Sequence, residues 1–228
     1  MRKPRRNFIQ RVLKRTMDIL LSSVALVILT PVIAVITVSI LSKLGRPVLF
    51  RQRRPGLKGR PFDLIKFRSM SNDRDSAGVV KCDADRLSTF GRFLRSTSLD
   101  ELPEFWNVLR GDMSLVGPRP LLMQYRELYT SEQARRHEVR PGLTGLAQIK
   151  GRNALSWEDR FTFDVWYVDN WTICLDVKIL LATILLVLRR RGVAAEGSET
   201  MPEFTGSEEL VKFRADFDDV SERSHRST

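Results

Sequence analysis

An uncharged run from Ile19 to Ser42, dense in Leu, Ile and Val, constrains this chain more than any other feature. As one straight helix it reaches roughly 36 Å, enough to cross the ~30 Å hydrocarbon core of a bilayer. A cleaved secretory signal fits poorly, because the run is long and passes into a basic segment without a small-residue cleavage site. The run is a membrane element. How it sits depends on Thr30-Pro31 at its midpoint, where proline removes a helical hydrogen bond and bends the axis. Seven Lys or Arg lie in residues 1–15 and seven in 43–60, with no acid in either flank. A single span carries one of these flanks to the far side, against the cytoplasmic bias of basic residues. A re-entrant hairpin that turns at Pro31 keeps both flanks on one side, with arms of about 18 Å too short to span alone. A proline-kinked single span is the competing form.

The remaining length, within 228 residues, suffices for one good core. A formal charge of +11 calls for a polyanionic partner: nucleic acid, an anionic membrane surface or phosphorylated substrates. Cys82 and Cys174 match no metal or redox spacing and read as reduced thiols of a cytoplasmic compartment. His137 and His225 are the only histidines, which leaves little for a histidine metal site or a Ser-His-Asp triad.

Residues 47–52 and 62–70 read as strands of a hairpin around the turn from Arg54 to Pro61. Lys66 and Arg68 alternate with Ile65 and Phe67, so both cations share one face, either solvated or turned to phosphate. Asp85 to Arg95 reads as a helix. The chemistry gathers in the stretch Ser98-Leu-Asp-Glu-Leu-Pro-Glu through Gly117-Pro-Arg-Pro120. Asp100 and Glu101 stand where a helix begins, with Ser98 or Asp100 as its cap and Arg110-Gly111 as its stop. A helix N-terminus, two acids and the fixed guanidinium of Arg119 suit phosphate chemistry around a divalent cation. Ser98 to Glu101 equally spells a capping box, in which Glu101 only reaches back to a backbone N–H.

Downstream, Leu121 to His137 reads as one or two helices. The glycine-rich turn from Arg140 to Arg152 contains Gln148, Gly151 and Arg152, and glycines there let backbone approach a ligand. Ser156 opens a helix to Asn170 that carries Asp164 in apolar company. Ile179 to Leu188, followed by three arginines, is too short to span; it is either an interfacial helix or a core helix.

Together these pieces resemble the small monotopic bacterial phosphoglycosyl transferases, which start glycan assembly on polyprenyl phosphate. The likeness runs over residues 11–206 and rests on Thr30-Pro31, Arg53-Arg-Pro-Gly56, Lys66-Phe-Arg-Ser-Met70, Arg95-Ser-Thr-Ser-Leu-Asp-Glu-Leu-Pro103, Asn107 to Pro120, Val139 to Gly145, Gln148, Gly151-Arg-Asn153 and Phe204-Thr-Gly206. Within that family the pattern is most like the members that transfer phospho-bacillosamine in bacterial N-glycosylation. The resemblance implies an α+β, mainly helical fold. It has a re-entrant membrane helix-hairpin, a small cytoplasmic catalytic domain with a short β-hairpin, and interfacial amphipathic helices. The implied division is a basic arm (1–15), the membrane helix kinked at Pro31 (16–42), the catalytic domain (43–206) and a polar tail (207–228), seated on the cytoplasmic face of the bacterial inner membrane.

The same resemblance implies the reaction. Asp100 attacks the β-phosphorus of a UDP-sugar, UMP leaves, and undecaprenyl phosphate takes the phosphosugar from the aspartyl intermediate. Mg²⁺ on the diphosphate, held by Asp100 and Glu101, would relieve charge repulsion together with Arg95, Arg119, Lys66 and Arg68. Glu101 either holds the metal or handles a proton. Gln148, Gly151 and Arg152 fall to the nucleotide side, and Asp164 to a supporting role. The donor sugar implied is an N-acetylated amino sugar. The competing class is a membrane-tethered basic nucleic-acid binder. Its interleaved aromatics and recognition helix are not visible, since the bases gather at membrane flanks and in Pro/Gly loops, so no nucleic-acid partner is expected. A Walker loop and a kinase His-Arg-Asp motif are likewise absent.

Overall fold

The computed structural model describes residues 8–71, 82–151, 155–188 and 203–206. Its first element, α1 (Phe8–Lys43), is a 36-residue helix with Pro31 inside it. The helix therefore takes in the second half of the expected basic arm. Helical geometry continues through Pro31, so the two arms expected on either side of it form one continuous helix. Proline costs one i→i−4 bond without a break, and Thr30 Oγ1 donates to Leu26 O at 2.8 Å in the turn beside it. α1 is the one described helix long and apolar enough to cross a membrane. Val24, Val27, Ile28, Val35 and Val38 all point away from the protein.

Both ends of α1 are tied to the same folded body. Near its start, Arg15 donates to Val108 O and Leu109 O at 2.6 and 2.7 Å. Past its end, the carbonyls of Leu44, Gly45 and Arg46 accept from Arg68. Ile36 and Ile40 are buried with Phe67, Leu94 and Leu102 in one apolar cluster. Truncating a fully buried side chain such as Ile40 to alanine costs about 2–5 kcal/mol.

β1 (Leu49–Pro55) and β2 (Pro61–Phe67) form the expected antiparallel hairpin, in register from Leu49↔Phe67 to Pro55↔Pro61. The expected helix at 85–95 divides into a single turn, α2 (Asp83–Arg86), and α3 (Thr89–Ser96), capped by Ser88. α4 (Glu104–Arg110) ends, as its sequence indicates, at a left-handed Gly111 with φ 88°. Asn107 binds α4 to the hairpin: its Oδ1 accepts from Ile65 N at 3.0 Å and its Nδ2 donates to Asp63 O at 2.8 Å. That pairing holds the head of α4 over Lys66.

β3 (Ser114–Val116) and β4 (Gly142–Thr144) pair in parallel. Here the glycines serve backbone-to-backbone approach: a Cβ on Gly142 would stand 2.1 Å from Gly117 N. Between these strands, residues 123–138 break into two 3₁₀ turns and the short α5 (Ser131–Ala134), rather than full helices. α6 (Leu146–Lys150), α7 (Trp157–Asn170, capped by Ser156) and α8 (Ile173–Leu188) complete the body. One face of α8 packs into the core, as the core-helix alternative expects, and the other is exposed. Asp176 and Ile179 face the core with Val108, Val116 and Tyr167, whereas Leu181, Ile184, Leu185 and Leu188 are exposed.

Candidate active site

Asp100 and Glu101 lie in a single 3₁₀ turn, Leu99–Glu101, just ahead of α4. The residue before it, Ser98, has φ 56° and ψ 20° and makes no capping bond, so the chain enters the turn through the left-handed region. The capping box is thereby excluded, because the Glu101 carboxylate points to side chains instead of a backbone N–H. Its Oε1 accepts from Lys66 Nζ at 2.8 Å and from Arg119 Nη2, while Oε2 stands 3.5 Å from Arg119 Nη1.

A third acid joins them. Glu104 is 2 % exposed, with Lys66 Nζ 3.1 Å from its Oε1. Sequence reasoning passed over it, although positions 100, 101 and 104 share one helical face by spacing. Three carboxylates thus face Lys66 and Arg119, with Arg95 beside Asp100. Arg95 itself is fixed by donating from Nε to Ser69 Oγ at 3.0 Å.

This imbalance separates the three acids. Burial pushes Asp100 up to about 6; Glu101 pushes the same way, against Lys66, Arg119 and Arg95. Burial also pushes up Glu101, but Arg119 and Lys66 outweigh it and hold it well below the ordinary carboxylate range. Burial raises Glu104 to about 7, with Glu101 assisting and Lys66 opposing. Among the described residues, no hydrogen bond or ion pair reaches the Asp100 carboxylate, which is 8 % exposed. Glu104 Oε1 also lacks a hydrogen bond but has Lys66 beside it, so Asp100 is the acid of this cluster with neither a hydrogen bond nor an ion pair among the described residues.

Arg119 is held from behind. Its carbonyl accepts from Arg136 Nη2 at 2.8 Å, and the next carbonyl, Pro120 O, accepts from Arg54 Nη1 at 3.3 Å. Arg136 is in turn locked to Asp164, with Nη2 at 2.6 Å and Nε at 3.1 Å from Oδ2. Asp164 is thereby linked to Arg119 through Arg136, which nothing in its charged surroundings in the sequence marks out. Arg68 has a different place from the one expected. Its guanidinium is spent on the carbonyls after α1, because β2 ends at Phe67 and the alternation that pairs it with Lys66 stops there.

A cavity of about 810 Å³ opens at this cluster. Arg95, Glu101, Arg119, Gln148, Arg160 and Asp164 lie at its polar end, and Leu21, Ala25 and Leu29 of α1 and Leu180, Ile184 and Leu188 of α8 wall the rest. Gln148 stands in that wall with both amide atoms buried and unpartnered. Gly145 makes room for it, since a Cβ there would lie 2.6 Å from Gln148 Oε1. Gly151 closes α6 against Leu155, and Arg152 lies outside the described residues.

The donor set fits Mg²⁺ only as a shared ligand. Among the described residues no three His, Cys, Asp or Glu side chains are grouped to hold a metal. Glu101 is already engaged by two cations, which makes it a poor ligand. Asp100 fits, because Mg²⁺ commonly takes one or two carboxylates and completes its shell with substrate phosphates and water.

Arg95, Glu101 and Arg119 thus line a cavity walled in part by a membrane-length helix, with Asp100 buried in the turn beside it. The chain belongs to the family described as bacterial sugar transferase, whose sequence profile matches residues 9–190. It is 54 % identical over 197 residues to the uncharacterized sugar transferase EpsL of Bacillus subtilis, covering 86 % of this chain and 97 % of that protein. It is 43 % identical over 189 residues to the UDP-glucose:undecaprenyl-phosphate glucose-1-phosphate transferase of Klebsiella pneumoniae, 78 % of this chain but 40 % of that one. A like-named protein of Caulobacter vibrioides is 38 % identical over 181 residues, 75 % of this chain and 68 % of its own length.

Proposed function

We propose that this enzyme transfers a sugar-1-phosphate from a UDP-sugar to undecaprenyl phosphate through a covalent aspartyl intermediate. The observation that carries the reading is Asp100, a buried carboxylate free of hydrogen bonds inside a ring of Lys66, Arg95 and Arg119. An Asp100 oxygen attacks the β-phosphorus of the donor. The bond from that phosphorus to the bridging oxygen breaks, and UMP leaves. A phosphate oxygen of undecaprenyl phosphate then attacks the same phosphorus, the acyl–phosphate bond breaks, and Asp100 is regenerated.

Arg119, Lys66 and Arg95 offset the charge that gathers on the phosphoryl oxygens, and Glu101 holds Arg119 and Lys66 in place. Mg²⁺ bound to the donor diphosphate, with Asp100 nearby, would neutralise part of its charge. Gln148 and Arg152 belong to the nucleotide side. The apolar walls from α1 and α8 suit the polyprenyl chain.

The membrane seating follows the same logic. Val108 and Leu109 near the start of α1, and Arg68 beyond its end, belong to one folded body. A helix held near both ends by one folded body stays on that body's side of the bilayer, which supports a monotopic seating on the cytoplasmic side; a re-entrant path would further need a bend at Pro31, through which the helix here continues. The catalytic domain then spans residues 43–206, with 207–228 beyond it.

The donor sugar is an N-acetylated amino sugar by family resemblance, whereas several matched relatives are named for glucose or galactose. A panel of UDP-hexoses and UDP-N-acetylhexosamines, incubated with the purified protein, Mg²⁺ and undecaprenyl phosphate, tests both. The expected result is UMP and a lipid diphosphosugar from one donor class. Absence of product with every donor overturns the assignment.

A further inference from the structure

One turn of α1 carries three charged residues, Lys14, Arg15 and Asp18, that the chemistry above leaves unused. Arg15 donates through Nη1 to Val108 O at 2.6 Å and through Nη2 to Leu109 O at 2.7 Å. These carbonyls lie in the last turn of α4, where the helix runs out of N–H partners; Val108 O also accepts from Gly111 N at 3.0 Å. Asp18, 2 % exposed, accepts from Leu115 N at 3.0 Å and Ser114 Oγ at 3.1 Å, at the start of β3. Lys14 Nζ donates to Val116 O at 3.0 Å, at the end of β3, and pairs with Asp176 Oδ2 at 2.6 Å. Tyr167 steadies Asp176 by donating to its Oδ1 at 2.6 Å.

All three side chains therefore close on residues 108–116. That stretch runs from the last turn of α4, a helix whose first turn follows Asp100 and Glu101, towards Arg119. Apolar contacts let a helix slide along its axis, whereas directed bonds to named backbone atoms fix its register. Burying Asp18 in an otherwise apolar helix is costly unless donors meet it, and two do.

We propose that Lys14, Arg15 and Asp18 form a clasp. They are positioning residues that fix the spacing between the acid turn and Arg119, and so register the reacting carboxylate against the membrane helix. Resting as it does on the functional reading above, the clasp is best tested by two measurements, only one of which depends on catalysis.

The variants are Arg15→Gln, Arg15→Lys and Asp18→Asn in the full chain, in nanodiscs. Hydrogen–deuterium exchange follows the peptide covering 108–117, with the β1–β2 hairpin as internal control. UMP release in a single turnover is followed across pH. In Arg15→Gln, exchange in 108–117 is expected to quicken while the hairpin is unchanged. UMP release is expected to slow about tenfold, as a slight misplacement of reacting groups does. The acid limb of the pH profile moves upward as Arg119 loosens from the cluster. Arg15→Lys recovers most of the rate, and Asp18→Asn shifts exchange and rate the same way by less.

A loss of folded enzyme with the limb unmoved would mean a packing role and overturn the clasp. So would faster exchange with wild-type turnover. If Arg15→Gln fails to fold, unchanged exchange in Asp18→Asn and Arg15→Lys overturns it equally. A wild-type enzyme that releases no UMP from any UDP-sugar overturns the functional reading, and the exchange data then stand alone on whether α1 grips 108–117.

Discussion

Asp176 and Asp100 are both buried carboxylates in one small domain, and they have opposite surroundings. Asp176 is saturated, with Lys14 on one oxygen and Tyr167 on the other. Asp100 accepts no hydrogen bond from the described residues and sits next to a second acid. Asp164 resembles Asp176, since Arg136 grips it twice. Buried polar groups are ordinarily satisfied, so saturated carboxylates hold the fold and a bare one waits for a partner. The two kinds of acid differ in what their removal should do.

The largest effect is expected at the bare acid. Asp100→Asn should abolish transfer, a loss of about 10³-fold or more, as removal of a nucleophile does. It should not lower the melting temperature, because burial already disfavours the Asp100 charge; differential scanning fluorimetry checks this. Arg119→Ala should reduce turnover about 10²–10³-fold, the scale of losing one preorganised charge-stabilising group. A saturated acid should behave the other way round. Asp164→Asn leaves Arg136 without its counter-charge, at about 3–5 kcal/mol of stability. Turnover per folded molecule should fall only about tenfold, because Asp164 reaches Arg119 through Arg136. Equal losses of stability at Asp100 and Asp164 would break the contrast.

Acidity sharpens it. A carboxylate attacks phosphorus only when deprotonated, and Asp100 is pushed up to about 6. Activity should therefore fall about tenfold per pH unit below about 6, measured as initial rate from pH 5 to 8. The smallest effect is expected at Gln148, where Gln148→Leu should raise the KM for the UDP-sugar several-fold with little change in kcat.

Much of the framework was legible in the sequence. The apolar run gave α1, Gly111 ended α4, Ser156 began α7, and the hairpin at 49–67 followed from alternation around a Pro/Gly turn. Short-range patterns failed where distant residues decided. Ser98 to Glu101 spells a capping box, yet Lys66 and Arg119, remote in sequence, take up the Glu101 charge. The capping box that does form is at Thr130 and Gln133. β3 and β4 are three residues each, too short for any periodicity to register. Arg68 was misplaced because its alternation with Lys66 outran the strand. Glu104 was within reach, since its spacing from Asp100 and Glu101 is helical. Arg136 and the grip of Asp18 on β3 were not, because both are set by tertiary packing alone.

The central claim is that Asp100 becomes covalently loaded. Intact-mass spectrometry of the purified enzyme with Mg²⁺ and each UDP-sugar, without undecaprenyl phosphate, tests it most directly. The expected result is an added sugar-phosphate mass that maps to the peptide containing Asp100, released together with UMP. Turnover on adding lipid phosphate, with no adduct from any donor beforehand, would contradict it and make the reaction a direct displacement.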